Sequence, residues 1–149
     1  MSDLITRVAT RLRNTLEQSQ AADVSIPWLS RFPKNCCNFT SNLLLLELAG
    51  GEISPLRRMM GTVCNEKGDE LGNHVWVQAD EYVVDIAGDD FGLPAVVVSS
   101  SSEWHSSLQD VKPFIERIDL PDGIPQPQLE RLADLYADVL ELLKPFRQE

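Results

Sequence analysis

The stretch HVWVQADEYVVDI, His74 to Ile86, narrows most what this chain can become. Two runs rich in β-branched residues alternate with a period of two on either side of Asp80 and Glu81, the pattern of half-buried strands joined by a tight hairpin. With a two-residue loop, Ala79 pairs with Tyr82, Gln78 with Val83, Val77 with Val84 and Trp76 with Asp85. Side chains alternate faces, so His74, Trp76, Val83 and Asp85 share one face, and Val75, Val77, Tyr82, Val84 and Ile86 share the other. His74 and Asp85 then become diagonal neighbours, about 7–8 Å apart at the backbone and within side-chain reach. A three-residue loop would break this parity.

The segments around the hairpin read as one α+β domain spanning residues 1–149. Leu4, Ile5, Val8, Leu12 and Leu16 recur at three- and four-residue intervals, which predicts an amphipathic first helix ending near Ser19 to Ala22. Asn38 to Leu48 is apolar on nearly every side and closed by Gly50-Gly51, as expected of a buried central helix with a glycine stop. A strand at Met59 to Cys64, a turn through Glu66 to Asp69, the hairpin and AVVVSS predict a small antiparallel sheet. Leu129, Leu132, Tyr136, Val139, Leu140 and Leu143 form one stripe, so a closing helix is expected from about Gln126 to Pro145, after the Pro-rich loop PDGIPQPQ. The serine run Ser99 to Ser102 reads as loop, and His105 reads as a surface or loop residue, with the alternative that it lines a cleft.

Charge and cysteine usage restrict the partners. A formal net charge of −10 would repel a phosphate backbone, so no nucleic acid is expected. The first segment is interrupted by arginines and is neither a signal peptide nor a span of about 20 apolar residues, so no membrane is expected either. The three cysteines are odd in number, and Cys36 and Cys37 are adjacent, where a disulfide is strained; a reducing cytoplasm fits best. A zinc site drawn from Cys36, Cys37, Cys64 and His74 lacks the C-x-x-C or H-x-x-x-H spacing that would hold it, and no metal is expected.

Cys37 stands at or just before the first turn of the leucine helix. A helix start offers unpaired N–H groups and a positive dipole end, and a nearby imidazolium adds to both in favouring a thiolate. A carboxylate beside a histidine holds one imidazole tautomer and stabilises the protonated ring. Cys37, His74 and Asp85 therefore form a candidate nucleophile, base and orienting residue. The Cys37 N–H and the Asn35 side-chain amide are candidates for binding a developing oxyanion, and Trp76 for a substrate platform. Each has a plain structural reading as well: a packed thiol, a structural His-Asp pair and a core tryptophan.

The order of PKNCCNFTS, HVWVQ and DIAGDDF resembles the papain-like and transglutaminase-like thiol enzymes, in particular small bacterial members with Cys-x-x-x-Ser, then H-x-W-x, then D-I-T-x-D-x-F. The likeness covers roughly Phe32 to Phe91. It matches Cys37 and Ser41 to the Cys-x-x-x-Ser spacing, which implies Cys37 as nucleophile with Cys36 its packed neighbour, His74 as base and Asp85 as orienting residue. Asp89 belongs to the same motif and is expected to buttress the loop carrying Asp85. Ala87 stands where the pattern has threonine, and Asn38 where glycine is commoner. The resemblance implies a central Cys-bearing helix packed on an antiparallel sheet, no cofactor, and a thioester reaction on a protein or peptide substrate carrying an amide, as a side-chain deamidase or peptidase. It implies a cytoplasmic protein, or one delivered as an effector by a non-classical route. The alternative of another class is a catalytically silent protein-binding domain of the same fold.

Overall fold

The computed structural model describes residues 2–51, 53, 55–114 and 126–147. The first helix, α1 (Ser2–Ala21), ends where its apolar spacing stops and buries Ile5, Val8, Ala9, Leu12 and Leu16. The second, α2 (Cys37–Gly50), is the leucine helix, with Leu43, Leu44, Leu45 and Leu48 fully buried. Gly51 caps it at φ −87°, so the stop uses a right-handed turn and not the left-handed glycine conformation. Burial on nearly all sides is what an unpatterned leucine run requires, and at about 25 cal/mol per Å² this apolar area is the main term stabilising the contact with the sheet.

Among the described residues, five antiparallel strands form one open sheet in the order β4-β3-β2-β1-β5: β1 (Leu56–Cys64), β2 (Glu70–Ala79), β3 (Tyr82–Asp85), β4 (Val97–Ser99) and β5 (Gln109–Pro113). The hairpin has the two-residue loop its sequence predicts, with Ala79 opposite Tyr82, Gln78 opposite Val83 and Val77 opposite Val84. Asp80 turns the corner with φ 52°, a left-handed value that aspartate tolerates. Val77, Ala79 and Val84 therefore enter the core with the leucines of α2, while Trp76, Gln78 and Val83 occupy the other face. Arg58, buried on β1, ties the sheet to α2 by donating to Asn38 Oδ1 at 3.0 Å and Asn42 Oδ1 at 2.6 Å.

Three elements depart from the sequence reading. The closing helix is two pieces, α4 (Gln126–Leu135) and α5 (Ala137–Leu143), interrupted at Tyr136, whose hydroxyl accepts from Asn42 Nδ2 at 2.8 Å. The segment after the serine run is not all loop: Ser102 caps a one-turn helix, α3 (Glu103–Ser106). The edge strand β5 was not expected. Its side chains are mostly exposed, so it lacks the apolar alternation that marks a strand. Most of the loop PDGIPQPQ lies outside the described residues.

No described helix is long and apolar enough to cross a membrane.

Candidate active site

Four separate elements bring the site together. Cys37 is the first residue of α2, and Cys36, its N-cap, contributes no side-chain capping bond to the first-turn N–H groups. His74 lies on β2 beyond the end of the β2–β3 ladder, which stops at Val77 and Val84. Asp85 ends β3. The fourth element is α3, which carries His105.

His74 Nε2 lies 2.6 Å from Asp85 Oδ2, and the two side chains are 1% and 2% exposed. The even hairpin loop makes this meeting possible, because it puts both residues on one face. With Nε2 held by the carboxylate, Nδ1 is the nitrogen left for Cys37, whose side chain is near enough to act on the His74 ring. Burial by itself would lower the His74 pKa. The hydrogen bonds to Asp85 and Cys37, with the negative charges of both, outweigh it and raise the value to about 9. For Asp85, burial pushes upward, but hydrogen bonds from His105 and His74, the charge of His74 and the Ala87 N–H hold the carboxyl well below the usual range. An imidazolium beside the buried Asp85 carboxylate is thus the favoured state of His74 at neutral pH.

His105 corrects the sequence reading. It is not a surface residue: it is 1% exposed, and its Nε2 lies 2.7 Å from the same Asp85 Oδ2 that takes His74. Its Nδ1 is 2.5 Å from Ser102 Oγ. Nothing within SSSEWHSS marks this role, since the partner is 20 residues away. His74, Asp85 and His105 are also the described residues whose ligand atoms, all within 4.8 Å of one another, are close enough to hold a cation. Here those atoms are taken up in hydrogen bonds that converge on one carboxylate oxygen.

The surroundings are aromatic and dry. The His74 ring meets Phe91 and Trp104 edge-on at 5.1 and 5.7 Å and stacks on Trp76 at 6.0 Å. Trp76 is itself buried and helps line a cavity of about 400 Å³ on the sheet face away from α2, with Met59, Val83, Ser102 and His105. Asn35 is exposed, in a left-handed backbone at φ 52°, with its carbonyl accepting from Arg31 Nε at 3.2 Å. Cys36 is buried, and burial, followed by the neighbouring Cys37 charge, pushes its thiol up to about 12.

The loop after Asp85 is clamped from α1. Arg13 Nη1 donates to Ile86 O at 2.8 Å, both Arg13 Nη atoms grip the Asp89 carboxylate at 2.8 and 2.7 Å, and the guanidinium lies 4.6 Å over the Phe32 ring. Asp89 therefore buttresses the Asp85 loop, through an arginine outside the matching stretch. Within that loop Gly88 leaves no room for a side chain. An added Cβ would stand 2.8 Å from Leu93 Cδ1 and 3.0 Å from Asp85 Oδ2. Leu93 can rotate away, but Asp85 is held by three donors. Gly88→Ala is expected to cost about 1–3 kcal/mol in urea denaturation, the usual scale of overpacking, and to slow modification of Cys37. Wild-type values for both would show that Asp85 tolerates displacement.

No protein-family model matches the chain, and comparison with curated proteins and with solved structures found no match.

Proposed function

We propose that the chain is a papain-like, transglutaminase-like thiol enzyme that acts on an amide through Cys37, His74 and Asp85. The observation that carries this reading is the convergence of Cys37, His74 and Asp85, in which each member lies on a different element, His74 bonds Asp85 and two are almost wholly buried. A structural His-Asp pair needs no thiol at its open nitrogen.

The Cys37 thiolate attacks the amide carbonyl carbon, forming a C–S bond as charge moves to the oxygen. The uncapped first turn of α2, with Cys37 N–H and the Asn35 amide, is where that oxyanion would find donors. As the C–N bond breaks, His74 Nδ1–H passes its proton to the departing nitrogen. Neutral His74 then takes a proton from water, which attacks the thioester and releases the carboxylic acid and the thiolate. One water is consumed, and no cofactor enters. Trp76, 3% exposed and stacked on the His74 ring, serves this reading as a support for the base and not as the substrate platform its sequence position suggests.

The chain has few long insertions with which to grip a peptide on both sides of a scissile bond, which favours an exposed side-chain amide such as glutamine over general proteolysis. Incubation with a glutamine-containing peptide should release ammonia and add about one dalton per site without cleavage. New peptide termini without ammonia would assign it to the peptidases instead. Turnover should fall as pH rises through about 9, where His74 loses the proton it must donate. Slow alkylation of Cys37, indistinguishable from a free-cysteine peptide, would favour the catalytically silent binding domain.

A further inference from the structure

We propose that His105 is a positioning residue for the reaction at Cys37: a second donor that keeps the buried Asp85 carboxylate in place and ionised while His74 cycles between imidazolium and imidazole. The inference rests on the thiol-enzyme reading above and concerns a residue that the Cys-His-Asp pattern does not contain.

The argument starts from the problem a buried carboxylate poses. When His74 gives its proton to a leaving group, Asp85 loses the cation that offsets its burial, and a carboxylate in a dry site tends to take up a proton. It would then cease to orient the ring for the second half of the reaction. The donors that do not change during turnover are the Ala87 N–H, 3.0 Å from Oδ1, and His105 Nε2, 2.7 Å from Oδ2. The hydrogen-bond pattern fixes where His105 carries a proton. The carboxylate oxygen accepts, so the ring carries a proton on Nε2, aimed at Asp85, while Nδ1 lies 2.5 Å from Ser102 Oγ. Its Nε2–H steadies the anion on the side of Oδ2 that His74 also uses.

Among the described residues, few titratable groups meet here. Asp85 on β3 faces His74 from β2 and His105 from α3, and His74 also faces Cys37 from α2. Hydrogen bonds from His105 and from His74, at 2.7 and 2.6 Å, both hold the Asp85 carboxyl down against its burial. The side chain that caps α3, Ser102, also contacts His105 Nδ1 and so holds the ring's orientation, and the one-turn helix and the site share a single hydroxyl.

The test compares a donor with a filler. His105→Leu retains bulk and loses the N–H, whereas His105→Gln keeps an amide donor. Two readouts are taken for each: the pH dependence of Cys37 alkylation by iodoacetamide, and the titration of the Asp85 carboxyl carbon by ¹³C NMR. In His105→Leu the acid limb of the alkylation profile and the carboxyl titration should both move up by about one pH unit, the scale of one hydrogen bond to a charged group. Gln should recover most of that shift. Ser102→Ala should move both in the same direction by less, and it carries the test if the buried replacements fail to fold. Unchanged limbs in His105→Leu, or equal shifts in Leu and Gln, would make His105 a packing residue and overturn the inference. If wild-type Cys37 alkylates slowly, the enzyme reading fails by itself, while the carboxyl titration still reports on His105.

Discussion

Cys37→Ala should abolish rapid alkylation of the protein and all activity on amides, whereas Cys36→Ala should leave both near the wild-type level. The two thiols are adjacent in sequence yet differ physically. Cys36 is 1% exposed among apolar neighbours, and burial keeps it protonated at neutral pH, with its pKa pushed up to about 12. Cys37 is half-buried, opens α2 and lies near enough to act on His74. Only the second has both an approach and a base. Truncating Cys36 removes a small core side chain, for which about 1 kcal/mol is typical. Intact-mass spectrometry after brief iodoacetamide treatment reads out both variants. Loss of the fast adduct in Cys36→Ala, with retention in Cys37→Ala, would reverse the assignment.

The second large effect is expected at Asp85. Asp85→Asn keeps the shape and an acceptor oxygen but removes the charge, and turnover should fall by about a hundredfold to ten-thousandfold, the range of general acid–base assistance. Asp85→Ala is the poorer experiment. It leaves the Nε2 atoms of two histidines, each 1% exposed, without an acceptor, and breaking a buried pair of this kind costs about 3–5 kcal/mol.

The stability of the Asn variant should depend on pH in a defined sense. The folded-state pKa of His74 is raised from 6.5 to about 9, so its contribution is fully present below 6.5 and is lost as pH rises through about 9. Asp85 has the opposite sign. Its lowered pKa stabilises the fold above the ordinary carboxylate range, and that contribution is lost on acidification. The gap between wild type and Asp85→Asn in denaturant midpoint should be widest from roughly pH 5 to 6.5 and should narrow above pH 9. A gap that is flat with pH would mean that the carboxylate and imidazolium are not paired in solution.

What could be read in advance follows from how local the determining physics is. The hairpin register was legible because it depends on loop parity and a period of two, both contained in thirteen residues. The His74–Asp85 contact followed from it. The leucine helix was legible because no other element buries such a run. His105 was not legible, because its place depends on β4 pairing with β3 and on the serine-capped turn that follows, and no residue near it carries a periodic signal. Arg13 is a charged residue of an amphipathic helix, where a solvent-facing position is expected, yet it is 6% exposed and bound to Asp89. An amphipathic stripe shows which positions avoid water, not which charges find a partner across the fold. β5 escaped for a related reason: its pairing with β1 is made by backbone groups, which every sequence has.

The Arg13 clamp joins residues 76 positions apart, with Cys37 between them in the chain. During synthesis, the helix bearing Arg13 leaves the ribosome first, then the thiol, and only much later the carboxylate that receives the guanidinium. Until then the arginine has no acid to meet at that site and the first helix has less reason to dock. On the proposed reading the nascent chain carries an ordinary cysteine through most of translation, and its reactivity is switched on by completion of the polypeptide at least to His105.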